Sequence, residues 1–233
     1  MSPPTVKTEN KYGLDWVLLN NRWYCVQNYS PTHLADGTPI PIVTDGTTWA
    51  GLTTPARCVY NNSTNAELIA KYGELLNWHA VAAGLEMPCA DCVVPSSAEW
   101  DSLIDWMIAS GFNWDGTTTG NKIGKALSSS GGEWAENATA GHPGNDQQSN
   151  NSSGFTNLPG GLRSAGNFIN FTTSGYFWSA DSGVGYATGG TSAELRTIDT
   201  GNDRGMSIRI SRPYVKKRFR GGLEFRTISK LGW

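Results

Sequence analysis

Period-two alternation of apolar and polar positions is clearest near the start of the chain, where Trp16, Leu18, Trp23 and Cys25 fall within Leu14 to Tyr29. Asn20-Asn21 interrupts the alternation, so the segment predicts a β-hairpin. A polar loop with Asp36-Gly37, Pro39 and Pro41 follows, then the strand-like RCVYNN at 57–62. From Ala66 the period changes. Leu68, Ile69, Tyr72, Leu75, Leu76 and His79 recur at helical spacing behind Asn65, a good capping residue. That pattern predicts one helix from Ala66 to about Ala82 with this face in the core.

The strongest local pattern is SSAEWDSLIDWMIASG at 96–111. Ser96 and Glu99 have capping-box spacing, Trp100, Leu103, Ile104, Met107 and Ile108 form an apolar stripe, and Gly111 ends the helix. Between Asn113 and Asn157 the chain turns to Gly, Ser, Thr and Asn, with Ile123, Leu127 and Trp134 as isolated anchors. Such a stretch predicts long surface loops pinned at those anchors. LPGGLRSAGNFINF and SGYFWSAD read as short strands, the polar 181–204 segment as loop, and GMSIRISRP at 205–213 as a terminal strand. Two helices, short strands and long loops define an α+β domain.

Composition narrows the class. With 233 residues and 38% of them hydrophobic, the chain can bury one sizeable core. No apolar run approaches the roughly 20 residues that span a bilayer, and Met1 to Tyr12 shows no signal peptide. Membrane insertion is therefore not expected, and the expected location is a virion, which leaves by lysis, or an extracellular surface. Charge is lopsided: Arg209 to Trp233 holds eight basic residues against Glu224 alone, while the remainder holds ten basic and 19 acidic residues. The chain divides accordingly into a domain at 1–213 and a basic arm at 214–233. The arm's interleaved Tyr214, Val215, Phe219, Leu223 and Phe225 favour packing on protein over nucleic acid.

Candidate chemistry is sparse. Cys89 and Cys92 form a C-x-x-C, while Cys25 and Cys58 lie 33 residues apart and lack a second knuckle, so buried thiols or one structural disulfide are favoured over zinc. His33, His79 and His142 make no metal or triad spacing, and Asp101 with Asp105 reads as a solvated helix face. Neither an enzyme nor a cofactor is expected.

LADGTPIP (34–41), TTWAGLTTPARCVYNN (47–62), KYGELLNWHAVAAG (71–84), VPSSAEWDSLIDWM (94–107), SGFTNLPGGLRSAGNF (153–168), GYFWSAD (175–181) and GMSIRISRP (205–213) occur in this order. Together they resemble the Fibrobacter succinogenes major paralogous domain, common in Bacteroidales and their phages. The resemblance implies a C-type-lectin-like fold with two helices and a small twisted antiparallel sheet, related to the formylglycine-generating-enzyme group. By analogy with retroelement-variable proteins of that fold, it implies a ligand-binding face near the C-terminus. Carried onto this chain, that face comprises Trp178, Asp181, Tyr186, Thr188, Arg196, Asp199, Asn202, Asp203 and Arg204. The string MPCADCVVP stands where the family often has a Gly-Trp-His-like string, and the last strand lacks the family's cysteine.

The expected function is non-enzymatic recognition of a bacterial surface glycan or protein receptor by a phage virion protein or cell-surface adhesin. The alternative is a structural decoration or fibre protein whose basic arm fastens it to other virion proteins. A homotrimer would suit a fibre.

Overall fold

A computed structural model describes residues 3–189 and 192–215. Asn20 and Asn21 take left-handed backbone angles, φ 47° and 56°, as a two-residue hairpin turn requires and asparagine tolerates. They join β2 (Leu14–Leu19) to β3 (Arg22–Cys25), with Leu19 opposite Arg22. β1 (Lys7–Lys11) flanks β2 and β11 (Ser211–Pro213) flanks β3, giving a four-stranded antiparallel sheet in the order β1-β2-β3-β11. The outer strand β1 reads KTENK and is largely exposed, and such charge guards an open edge against pairing with another chain.

α1 (Gly46–Ala50) begins at the cap Asp45. The single helix expected from Ala66 to about Ala82 is instead α2 (Ala66–Tyr72), β5 (Leu75–Leu76) and α3 (Trp78–Ala83). Asn65 does cap α2, its side chain accepting from the N–H groups of Glu67 and Leu68. The break has a tertiary cause. Leu75 and Leu76 pair with β4 (Arg57–Cys58), and Leu76 exchanges both backbone hydrogen bonds with Met206 at 3.0 Å. Gly73, at φ 72°, ends α2, and Asn77 caps α3 with a side-chain bond to Ala80. Strand capture thus overrides helical spacing.

α4 (Ser97–Ala109) follows the sequence closely, with both halves of the Ser96–Glu99 capping box formed and Trp100, Leu103, Ile104 and Met107 buried. Beyond the short α5 (Gly124–Leu127) come the hairpin β6 (Gly160–Ser164) and β7 (Asn167–Phe171), then β8 (Ser174–Trp178). The segment expected as polar loop is largely a second hairpin, β9 (Val184–Gly189) and β10 (Ser192–Asp199), in an antiparallel sheet of order β10-β9-β8. Its small residues serve packing: a Cβ on Gly185 would lie 2.7 Å from Met206 Cε.

Residues 205–213 join all four sheets. Gly205 bridges Arg163 of β6, Met206 bridges Leu76 of β5, Ser207 bridges Phe177 of β8, and β11 pairs with β3. Alternate residues of the strands face separate cores. Trp16 and Trp178 pack with Leu76, Met206 and Ile208, whereas Val17 and Phe177 pack with Trp100, Leu103 and Met107 of α4. The fold is α+β, built from five α-helices and several small antiparallel sheets among the described residues.

Two buried arginines clip distant segments together. Arg163 donates to the carbonyls of Val43 and Thr44 at 2.6 and 2.7 Å while its guanidinium lies over Trp49 and Phe168. Arg209 donates to the carbonyls of Cys25 and Val26 and lies over Phe155 and Phe177. Burial lowers its pKa to about 10, which keeps it charged at neutral pH. Arg212 is also inside, paired with Glu9 and set over Trp16. The first basic residues of the 209–233 run therefore belong to the domain, and Tyr214 packs edge-on against Trp23. The rest of the arm, 216–233, lies outside the described residues.

Candidate functional site

The end of β8, the β9–β10 hairpin and its flanking turns hold the nine residues of the expected face. Three of them, Trp178, Tyr186 and Thr188, are fully buried and cannot touch a ligand. Trp178 donates its indole N–H to the carbonyl of Leu76 at 2.7 Å. Tyr186 stacks on Trp100 at 5.2 Å, and its hydroxyl lies 2.8 Å from Asp101 Oδ1. Burial, reinforced by Asp101, raises the pKa of that hydroxyl. Asp101 is exposed on the α4 face, as expected, and also accepts this hydroxyl. The three burials share one reason: β8 and β9 are covered on both faces, by α4 on one and by the core around Leu76 and Met206 on the other.

Several of the remaining six hold the fold. Asp181 Oδ2 accepts from the N–H of Ser97 at 2.6 Å, and this bond at the start of α4 holds the carboxyl below its usual range. Arg196 donates to the carbonyl of Gly189 at 3.2 Å. Asn202 accepts from the N–H of Gly183 with its side chain and from Trp78 with its carbonyl. The carbonyl of Asp203 receives the indole N–H of Trp49 at 2.6 Å. Asp199, at the end of β10, is exposed, and Arg204, in the turn beyond it, is half-buried. The structure strings these residues along β8, the hairpin and the turn after it, and none of them lines the grooves described next.

The open concavity lies elsewhere, in the loops between α5 and β6. The sequence anchors behave as expected: Ile123, Leu127 and Trp134 are buried. Trp134 exchanges backbone bonds with the side chain of Gln147 at 3.0 and 2.6 Å, and its indole N–H reaches Ser129. Buried Asn150 donates to the carbonyls of Ser129 and Pro143. Buried Lys125 donates to the carbonyls of Asn145 and Asp146, with desolvation pulling its pKa down. Glu133 accepts from Ser129 at 2.8 Å and pairs with Lys71 of α2 at 2.9 Å. Burial acts to raise the Glu133 pKa, but these partners outweigh it and the carboxyl stays below its usual range.

Pinned in this way, the loops enclose an open groove of about 790 Å³ lined by Ser130, Gly132, Glu136, Asn137, Asp146 and Gln148, among others. Glu136, Asp146 and Gln148 are exposed at its rim. Gly144 permits the close loop approach, since a Cβ there would fall 2.0 Å from the carbonyl of Ala135. His142 lines a smaller cavity alongside, of about 90 Å³. Sequence reading placed loops here but missed the groove. Its traces are Gly131-Gly132, Glu136-Asn137 and Gln147-Gln148, whose significance depends on contacts 20 and 21 residues apart in the chain, Lys125 with Asn145 and Asn150 with Ser129.

A second groove, about 480 Å³ and mostly apolar, lies beside the 89–92 turn. Cys89 and Cys92 form a disulfide, while Cys25 and Cys58 are free, buried thiols. Burial pushes the Cys58 pKa up to about 11, so the thiol is inert at neutral pH. Among the described residues no group of three or more His, Cys, Asp or Glu side chains could hold a metal ion. No helix there is long and apolar enough to cross a membrane.

An α+β domain that presents a polar groove on pinned loops is the class defined by this geometry. The chain belongs to the Fibrobacter succinogenes major domain family, whose model matches residues 17–212. No curated protein and no solved structure matches it.

Proposed function

We propose that the chain is a non-enzymatic recognition module of a phage virion or cell surface, binding a glycan or protein on a bacterial surface through the 130–148 groove. The observation that carries this reading is the groove itself: polar side chains left at the rim of loops whose backbone is already immobilised. Preorganised loops bind without a large ordering cost, and amide and carboxylate groups suit hydroxyl-rich ligands. The scaffold is read as C-type-lectin-like. Pairing of β1–β3 with β11 and the long loop region between α4 and β6 support that reading.

The test is binding of the fluorescently labelled protein to a panel of intact Bacteroidales cells. Strain-selective binding is expected, lost in the double variant Glu136→Ala/Gln148→Ala and retained in Arg204→Ala. Loss in Arg204→Ala alone would return the site to the turn beyond β10. Absence of binding to every strain by folded protein would favour a structural role within the particle.

A further inference from the structure

The groove beside the Cys89–Cys92 turn differs in chemistry from the polar one. Val81, Leu85, Met87, Val93, Val94 and Ala180 line it, and Val93 keeps 40% of its surface exposed. Apolar concavities on a soluble domain mark contact sites. The surroundings are acidic: Glu86 and Asp91 are exposed neighbours of its lining residues, and Glu99 lines it while holding Arg22 at 2.8 Å.

One segment of this chain has the complementary chemistry. Residues 216–225, KKRFRGGLEF, set Phe219, Leu223 and Phe225 among Lys216, Lys217, Arg218 and Arg220. The described chain passes the groove's edge five residues before that segment begins, then runs to the β2–β3 turn, where Tyr214 donates its N–H to the carbonyl of Asn21. Ser211 bridges Val93 and Pro213 pairs with Arg22, the partner of Glu99. Val215, the last described residue, is 75% exposed. Extended chain advances roughly 3.3 Å per residue, so the next four residues can cover roughly 13 Å.

We propose that this groove is the docking site for the chain's own 216–225 segment, with Phe219 in the apolar bed and the flanking lysines and arginines against Glu86 and Asp91. Covalent linkage supplies an effective concentration on the order of millimolar, so modest contact area suffices to populate the docked state. The inference is independent of the recognition reading, since it concerns another face.

The experiment uses the full chain with Phe219→benzoylphenylalanine, irradiated as a mixture of isotopically light and heavy copies and mapped by mass spectrometry. Cross-links to 81–94 within single copies are expected, and Val93→Asp should abolish them while leaving the circular dichroism spectrum unchanged. Cross-links joining light to heavy copies would assign the groove to a second copy and overturn the proposal. So would cross-links that miss 81–94, no cross-links, or an unchanged yield in the folded Val93→Asp variant.

Discussion

The 129–157 loops and the 184–204 hairpin have similar compositions, dominated by small and polar residues, yet they have opposite fates. In the hairpin the small residues let strands lie under α4, and several polar groups in and beside it are consumed by the fold: Tyr186 by Asp101, Asn202 by Gly183 and Trp78. In the loops, a few buried side chains satisfy the backbone from within, and Glu136, Asp146 and Gln148 stay on the rim. Small polar composition therefore does not mark a binding surface. What separates the two regions is whether the polar groups are needed to hold the structure that presents them.

Substitution should expose this difference, most strongly in the hairpin. Tyr186→Ala empties a fully buried ring site and is expected to cost about 3–5 kcal/mol, read as a fall in the urea midpoint. A stability loss below about 0.5 kcal/mol would show that the hairpin is peripheral after all. In the loops, Lys125→Met leaves the carbonyls of Asn145 and Asp146 without their donor. It should cost about 1–3 kcal/mol and speed amide exchange at 143–150 while exchange at 184–199 stays slow. Uniform acceleration would dissolve the distinction.

The smallest expected effect concerns pH. Because the folded pKa of Glu133 is depressed, its stabilisation is fully present above the unfolded value of about 4.3 and is lost as pH falls through the folded value. Glu133→Gln should lower the thermal midpoint near neutral pH, with a cost below about 1 kcal/mol because Lys71 is half exposed. The gap from the parent protein should narrow in acid. A constant gap from neutral pH to about pH 3 would assign the effect to packing rather than ionisation.

Local signals were legible where local physics decides. The Asn20-Asn21 turn, the Asn65 cap and the Ser96–Glu99 box each rest on bonds within a few residues. Periodicity failed at Leu75 and Leu76 because β4 pairs with both and Met206, 130 positions beyond Leu76, bridges the second. Three residues of the expected 178–204 face, Trp178, Tyr186 and Thr188, are buried for a related reason: they sit on strands covered on both sides. Loops at 113–157 and their anchors were legible, whereas the groove was not. Its walls depend on Lys125 and Asn150 reaching backbone carbonyls that no sequence spacing specifies.

The run 205–213 also sets a temporal order. Backbone pairing from this run reaches all four sheets, and Arg22 meets Ser211 across 189 positions of chain. Loop closure of that length is slow, so the domain is expected to fold late, after synthesis of residues 205–213, with α4 and the three hairpins waiting as loosely associated pieces. During that interval Trp16, Trp178 and Phe177 would be open to misassociation, which makes residues 205–213 the segment whose timely docking governs the yield of folded protein.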